Sequence, residues 1–302
     1  MANTDLSILL EKGLRSTYLE ALNDTSTPLL SNISSVISSN SADEKFPWLG
    51  ESGAMSSFPK GSSRQISQLT EAALTATPQR YASTISISRL DYEDDTVSGV
   101  SLRVAQMAQQ AGRFKDALCA GVINSNAACY DGQPLFSETH PARGEQSAAQ
   151  SNIVAGSGTT AAAMSEGIHK AVEKLRLIKD ESGNAYHGEL AGSLCCVVPP
   201  ALESAAMEVL QSSQLDSSSN VQQARAQLIV SSQLSGDPSD WYMFVKGSVQ
   251  PIIYVERDPV SFEAVTDGTE NTFMKEEFLF GTRMRAAAIP SHWAKSIMIK
   301  NS

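Results

Sequence analysis

Between Thr96 and Ile123 the chain repeats one apolar stripe: Val97, Val100, Val104, Met107, Ala111, Phe114 and Leu118. The spacing alternates three and four, so these side chains share one face of an α-helix. At 1.5 Å per residue such a helix is roughly 40 Å long. A helix of that length with a single apolar stripe serves as a spine for other elements rather than as one member of a compact bundle. Asp94, Asp95 or Thr96 can cap its first free N–H groups, and the acids suit the positive end of its dipole. Gly99, Gly112 and Gly121 each weaken the helix by up to about 1 kcal/mol relative to Ala. They are therefore expected where another backbone comes close.

The helix closes on turn chemistry, Tyr130-Asp-Gly-Gln-Pro-Leu-Phe-Ser-Glu-Thr-His-Pro141. Asp131-Gly132 is a strong turn pair, Pro134 and Pro141 exclude helix, and Leu135-Phe136 is a short apolar plug. His140 stands beside this turn and reads as a hydrogen-bonded anchor of the loop.

Ahead of the spine, Leu6 to Leu22 is loosely amphipathic and can form a helix. Thr25 to Asp43 is rich in Ser and Asn, and reads either as a mobile arm or as an arm ordered only by neighbouring molecules. Phe46-Pro47-Trp48-Leu49-Gly50 is an apolar knot, and Phe58-Pro59-Lys60-Gly61 is a turn-rich tip. Arg80 to Arg89 alternates as a strand, with Tyr81, Ser83, Ile85 and Ile87 on one face. So polar a strand has little core to bury, and a lone hairpin is marginal in water.

Beyond the spine, Gly156-Ser-Gly-Thr-Thr-Ala161 opens a helix striped by Met164, Ile168, Ala171, Val172, Leu175 and Ile178. Ser193 to Val198 reads as a buried strand, and Pro199-Pro200 as a helix start. Further strands are expected at Ala226–Val230, Trp241–Val245 and Ile252–Glu256, so residues 152–257 form a compact α/β unit around a small sheet. Asp258-Pro259 marks its boundary. Glu277 to Arg285 alternates as a strand that returns beneath the spine helix, which makes the spine domain discontinuous, 91–151 and 258–302.

These segments resemble a known family. The long helix followed by Tyr-Asp-Gly-Gln-Pro-Leu-Phe-Ser-x-x-His-Pro resembles the major head subunit of Mu-like phages and prophages. Phe46-Pro-Trp-Leu-Gly-Glu51, Val197-Val-Pro-Pro-Ala-Leu-Glu203 and Phe278-Leu-Phe-Gly-Thr-Arg283 extend the resemblance over most of the chain. It implies an α+β, Hong Kong 97-type capsid fold with an N-terminal arm (1–45) and an extended β-hairpin loop (46–90) lying across a neighbouring subunit. A peripheral spine-helix domain (91–151 and 258–302) and an axial domain (152–257) complete it.

The implied function is that of a structural head subunit, not an enzyme. Copies assemble in the host cytoplasm into the hexamers and pentamers of an icosahedral virion shell, around double-stranded DNA that is enclosed without sequence-specific binding. The implied partners are a separate scaffold and maturation protease, a portal and, optionally, a cement protein. The 45 residues before Phe46 are short for a built-in scaffolding domain. The interaction residues are expected at Phe46, Pro47, Trp48, Lys60, Tyr130, Asp131, Gly132, Phe136, His140 and Pro141. The fold's namesake joins subunits by Lys–Asn isopeptide bonds, which need a desolvated Lys with a carboxylate at hand. No acid lies nearer Lys60 in sequence than Glu51, so an uncross-linked shell is expected.

Composition agrees with a container. The 302 residues carry a formal charge of −10, which argues against a dedicated nucleic-acid binder. No run approaches the ~18 apolar residues of a membrane span, and no secretory signal is visible. Cys119, Cys129, Cys195 and Cys196 form no Cys-x-x-Cys pair and read as reduced, partly buried thiols. His140, His169, His187 and His292 show no metal-ligand spacing, so no metal or cofactor is expected. The one competing motif is Gly156-Ser-Gly-Thr-Thr-Ala161, which fits a dinucleotide loop with Asp180 some twenty residues on. The alternative function is thus a cytosolic nucleotide-dependent enzyme built on that loop. Against it, the strand expected before the loop, Asn152–Ala155, is very short.

Overall fold

The computed structural model describes residues 2–49, 71–88, 90, 98–141, 149–180, 183–215, 218–265 and 274–301. In chain order, helix α1 (Ala2–Asn23) and the short α2 (Pro28–Ile33) lead into strand β1 (Ser34–Ser38). Strands β2 (Glu44–Leu49) and β3 (Glu71–Ala76) pair, and β4 (Gln79–Ser88) follows before the spine helix α3 (Ser98–Asn124). Then come β5 (Ile153–Ala155), α4 (Ala161–Leu177), β6 (Leu194–Val198) and α5 (Glu203–Gln211). A two-residue pair, β7 (Gln214–Leu215) and β8 (Ser218–Ser219), precedes β9 (Gln227–Val230), β10 (Trp241–Val245), β11 (Ile252–Val265), β12 (Glu277–Pro290) and β13 (Ser296–Lys300).

The spine helix lies on a four-stranded sheet ordered β1-β11-β12-β4. Alternation in β12 turns Phe278, Phe280, Thr282 and Met284 inward, where Phe278 and Phe280 meet Val100, Val104 and Met107 of α3. Strand β4 does not stand as a separate ribbon. It pairs antiparallel with β12 over Gln79–Ser88, which lets Ile85 and Ile87 reach the core. Strands β2 and β3 form a separate two-stranded antiparallel ladder, held where Phe46 and Ala76 meet Ile253 and Val255.

The Ser-rich stretch after α1 differs from the arm expected of it. β1 runs parallel to the start of β11, pairing Ser34 with Ile252 through Ser38 with Glu256, and Leu29 and Ile33 are fully buried. Helix α1 is likewise docked. Its Tyr18 has no exposed surface, bonds Thr282 through its hydroxyl at 2.5 Å and sets its ring 4.9 Å from Phe262. The serines misled because they hide two short elements: helix α2 buries Leu29 and Ile33, and strand β1 buries Ser34 and part of Ile37.

A second sheet, ordered β5-β13-β10-β6-β9, forms the compact unit. Its central strands β6 and β10 are buried at every position, as continuous apolar runs require when both faces are covered. Cys195 and Cys196 point to opposite faces and are both buried, and all four cysteines are unpaired. The expected boundaries shift in two places. β13, from the C-terminal segment, inserts between β5 and β10, and Ile252–Glu256 begins β11 of the other sheet. Asp258-Pro259 therefore falls inside a strand. The proline is tolerated because β11 bulges there and β1 has ended, so no ladder donor is missed.

The caps Asp94, Asp95 and Thr96 lie outside the described residues. The buried face of α3 follows the expected stripe through Val100, Val104 and Met107, then turns to Asp116, Cys119, Ala120 and Ile123, leaving Phe114 37% exposed. The strict seven-residue spacing read from sequence drifts about 20° per heptad from a straight helix. At Gly112 a Cβ would lie 2.7 Å from the Thr25 side chain, which marks the crossing of the α1–α2 connection, whereas nothing approaches Gly121. Asp116 serves that crossing. Its Oδ1 accepts from Leu30 N–H at 2.9 Å, capping α2 where Thr27 makes no side-chain bond. Burial raises the Asp116 carboxyl above its ordinary range, against the lowering effect of that bond.

Candidate functional site: a buried histidine knot and the hairpin

The loop after the spine is held by side-chain and backbone bonds at several residues. Asn126, in the left-handed region at φ 46°, ends the helix and bonds both backbone groups of Phe136. Gly132 takes φ 76°, and Asp131 Oδ1 accepts from Gln133 N–H at 3.1 Å. Leu135 and Phe136 are buried, with the Phe136 ring 5.1 Å from Tyr242. The other oxygen of Asp131 meets His140 Nδ1 at 2.8 Å. That imidazole is fully buried and stacks on Trp293, centroids 4.2 Å apart and planes within 5°. Pro141 is exposed.

Three of the four histidines converge here, joined by no sequence spacing. Tyr130 OH lies 3.3 Å from His292 Nε2. His292 Nδ1 accepts from Ala294 N–H at 3.0 Å, and His187 Nε2 donates to Ala294 C=O at 2.7 Å. Burial holds His187 below its ordinary pKa. The sequence reading missed His187, His292 and Trp293, which lie roughly 50 to 160 residues from the loop they brace. Asp131 fixes the ring of His140, whose Nε2 makes no hydrogen bond among the described residues. A carboxylate–imidazole pair so enclosed braces a loop. No cluster of three or more His, Cys, Asp or Glu suited to a metal ion occurs among the described residues.

The glycine-rich loop is filled by its own chain. A Cβ on Gly156 would overlap the Asn301 side chain, whose Oδ1 accepts from Gly158 N–H at 3.1 Å. Thr160 caps α4 through Ala163 N–H. Gly156 thus admits Asn301 where a dinucleotide loop would admit pyrophosphate, and Gly158 takes φ 128°. Phe46 is half-buried at the hairpin base, and Pro47 and Trp48 sit opposite Ala73 and Ala72 in the β2–β3 ladder. Lys60 lies outside the described residues. No described helix is long and apolar enough to cross a membrane.

A long helix on a four-stranded sheet, a separate two-stranded ladder and a compact α/β unit together define the Hong Kong 97-type capsid fold. The chain superposes on a subunit of the procapsid of bacteriophage JBD30 with a TM-score of 0.59 at 18% identity, covering 99% of this chain and 76% of that one. For the capsid of cyanophage P-SCSP1u the TM-score is 0.63 at 14% identity, with 92% and 89% covered. The profile of the family described as Mu-like prophage major head subunit gpT matches residues 8–165 and 231–302, and the chain belongs to that family. A curated relative, the Mu-like prophage FluMu major head subunit of Haemophilus influenzae, is 28% identical over 111 residues, 36% of this chain. The match spans 35% of that relative, about one third of its length.

Proposed function

We propose that this chain is the shell-building subunit of a phage-type head and acts through its surfaces rather than by catalysis. The carrying observation is that the likeness to a procapsid subunit extends over 99% of the chain. Copies form hexamers and pentamers and close into an icosahedral shell in the host cytoplasm. Residues 46–90 reach across a neighbour, the compact unit faces the capsomer axis, and the spine domain lies at the periphery. Phe46, Pro47 and Trp48 serve the hairpin contact, and the knot from Tyr130 to Pro141 stiffens the junction between the two sheets. Permanent interfaces of this kind bury ~2,000–5,000 Å². A scaffold, a maturation protease and a portal act as separate partners, with a cement protein optional. The charge of −10 lets the shell hold DNA without gripping it.

Sedimentation of the purified chain, co-expressed with its scaffold and scanned over salt and concentration, tests this reading. Capsomers and a species of very many copies are expected. Monomer or a small closed oligomer under every condition overturns it.

A further inference from the structure

The covalent link between the two sheets is short and buried. Strand β12 ends at Pro290 and β13 begins at Ser296. From Ser291 to Ala294 each residue is at most 2% exposed. A link so enclosed must find internal partners for its backbone groups. Ser291 N–H donates to Pro251 C=O at 2.8 Å, and Lys295 N–H to His292 C=O at 3.2 Å. Ala294 is held differently, because both its backbone groups end on imidazoles. Its N–H donates to His292 Nδ1 at 3.0 Å, and its C=O accepts from His187 Nε2 at 2.7 Å.

These bonds fix where each ring carries its proton. The Nδ1 lone pair of His292 is spent on Ala294, so its proton sits on Nε2, facing the Tyr130 hydroxyl at 3.3 Å. His187 likewise carries its proton on Nε2, the atom that donates to Ala294. A second proton can enter either ring only at Nδ1. On His292 it would set a donor against Ala294 N–H, and the bond that caps the turn from Trp293 to Lys295 would be lost. On His187 it would place a charge in a buried site. Burial works against that charge, the bond to Ala294 partly offsets the effect, and the Lys295 ammonium adds to it. Tyr186 packs on both rings, 4.8 Å from each centroid. Tyr130 faces His292 from the loop after the spine, and Cys129 of the same loop bonds the Trp293 backbone. None of these groups is a carboxylate that could balance an imidazolium. Asp131, the carboxylate of the knot, is already bonded to His140.

We propose that His292 and His187 form an acid-released clamp on the link between the two sheets. Neutral, the pair fixes Ala294 by both backbone groups, and with it Trp293, whose ring stacks on His140. Protonated, His292 rejects Ala294 N–H, the turn from Trp293 to Lys295 opens, and the link becomes a hinge between the spine domain and the compact unit. The clamp is closed at neutral pH and opens in acid, because the open link binds the added proton better than the closed one. It is a property of the single subunit and does not depend on the shell-subunit reading.

Hydrogen exchange of the full, unassembled chain at about pH 7 and about pH 5, each corrected for intrinsic exchange, tests the clamp. The amides of Ala294, Lys295 and Ser296 are expected to lose protection in acid, by up to about tenfold per pH unit for each proton bound, while those of β6 and β10 keep theirs. His292→Asn retains an oxygen that can cap Ala294 N–H, and His187→Gln retains a donor for its C=O, yet neither titrates in this range. The chain carrying both substitutions is expected to protect the turn equally at the two pH values. Equal protection of the turn in wild type at both pH values overturns the proposal. So does a loss in acid that the double variant shares, or one that spreads equally over β6 and β10. Should the double variant fail to fold, ring-nitrogen NMR of the wild type decides. His292 Nδ1 is expected to gain a proton as the turn loses protection, and a turn that opens with Nδ1 still unprotonated overturns the proposal.

Discussion

Tyr18 decides whether α1 is part of the subunit's core or an arm that waits for a neighbour. It is fully buried, packs on Phe262 and bonds Thr282, all within one chain. Truncation to Ala removes a large aromatic from a site walled by α3, β11 and β12, which cannot collapse to fill it. Such substitutions destabilise by about 3–5 kcal/mol. Tyr18→Phe keeps the ring but leaves the buried Thr282 hydroxyl without its partner, for about 1–3 kcal/mol. With a urea m-value of roughly 3 kcal/mol/M for a chain of this size, the Ala variant's midpoint falls by roughly 1–1.7 M and the Phe variant's by roughly 0.3–1 M. Leu19→Ala, at a half-exposed neighbour, changes stability by less than about 0.5 kcal/mol and serves as control. The assay is urea unfolding of the unassembled subunit, followed by tryptophan fluorescence and circular dichroism. If Tyr18→Ala and Leu19→Ala unfold at the same urea concentration, α1 is not docked in the free subunit and the packing described for it is wrong.

Four further outcomes follow from single contacts. Gly112→Ala is expected to destabilise despite Ala's better helix propensity, because its Cβ meets Thr25, whereas Gly121→Ala meets nothing and is expected to stabilise by up to about 1 kcal/mol; equal effects in thermal melting refute the crossing at Gly112. Asp116→Ala is expected to lower stability by about 0.5–2 kcal/mol through loss of the α2 cap, read most clearly as faster hydrogen exchange at Leu29 and Leu30. Burial lowers the His187 pKa from the ordinary 6.5, so the stability tied to its neutral form is present above pH 6.5 and is lost as pH falls through the depressed value; melting scans from pH 7 to 5 should show His187→Gln losing less stability on acidification than wild type. Mature particles boiled in detergent should run as one band near the monomer mass, and a ladder that survives reductant and cysteine removal refutes an uncross-linked shell.

The sequence made the spine, the returning strand Phe278–Phe280 and the central strands β6 and β10 legible, because each carries a periodicity that burial alone explains. Its failures have specific causes. Ser34–Ser38 pairs with Ile252–Glu256 across more than two hundred residues, and no local pattern encodes that partner. β13 leaves its expected domain because Ile297 and Ile299 fit between β5 and β10, a choice made by tertiary packing. Within the loop after the spine, Asp131, Gly132 and Phe136 could be read as turn and plug. His140 could be read as a hydrogen-bonded anchor of the loop, but its stacking on Trp293 and its neighbours His292 and His187 could not, since they are remote in sequence. The glycine-rich loop shows the converse: a motif legible in sequence owed Gly156 to the passage of Asn301 and Gly158 to a positive φ.

Three-dimensional reconstruction of particles purified after co-expression with scaffold tests the central claim most directly. The account predicts closed shells with fivefold and sixfold capsomers, in which the spine helix, both sheets and the β2–β3 hairpin of this chain fit the density of every subunit. Micrographs that contain only unassembled protein or small closed oligomers, under conditions where the chain is folded, contradict it.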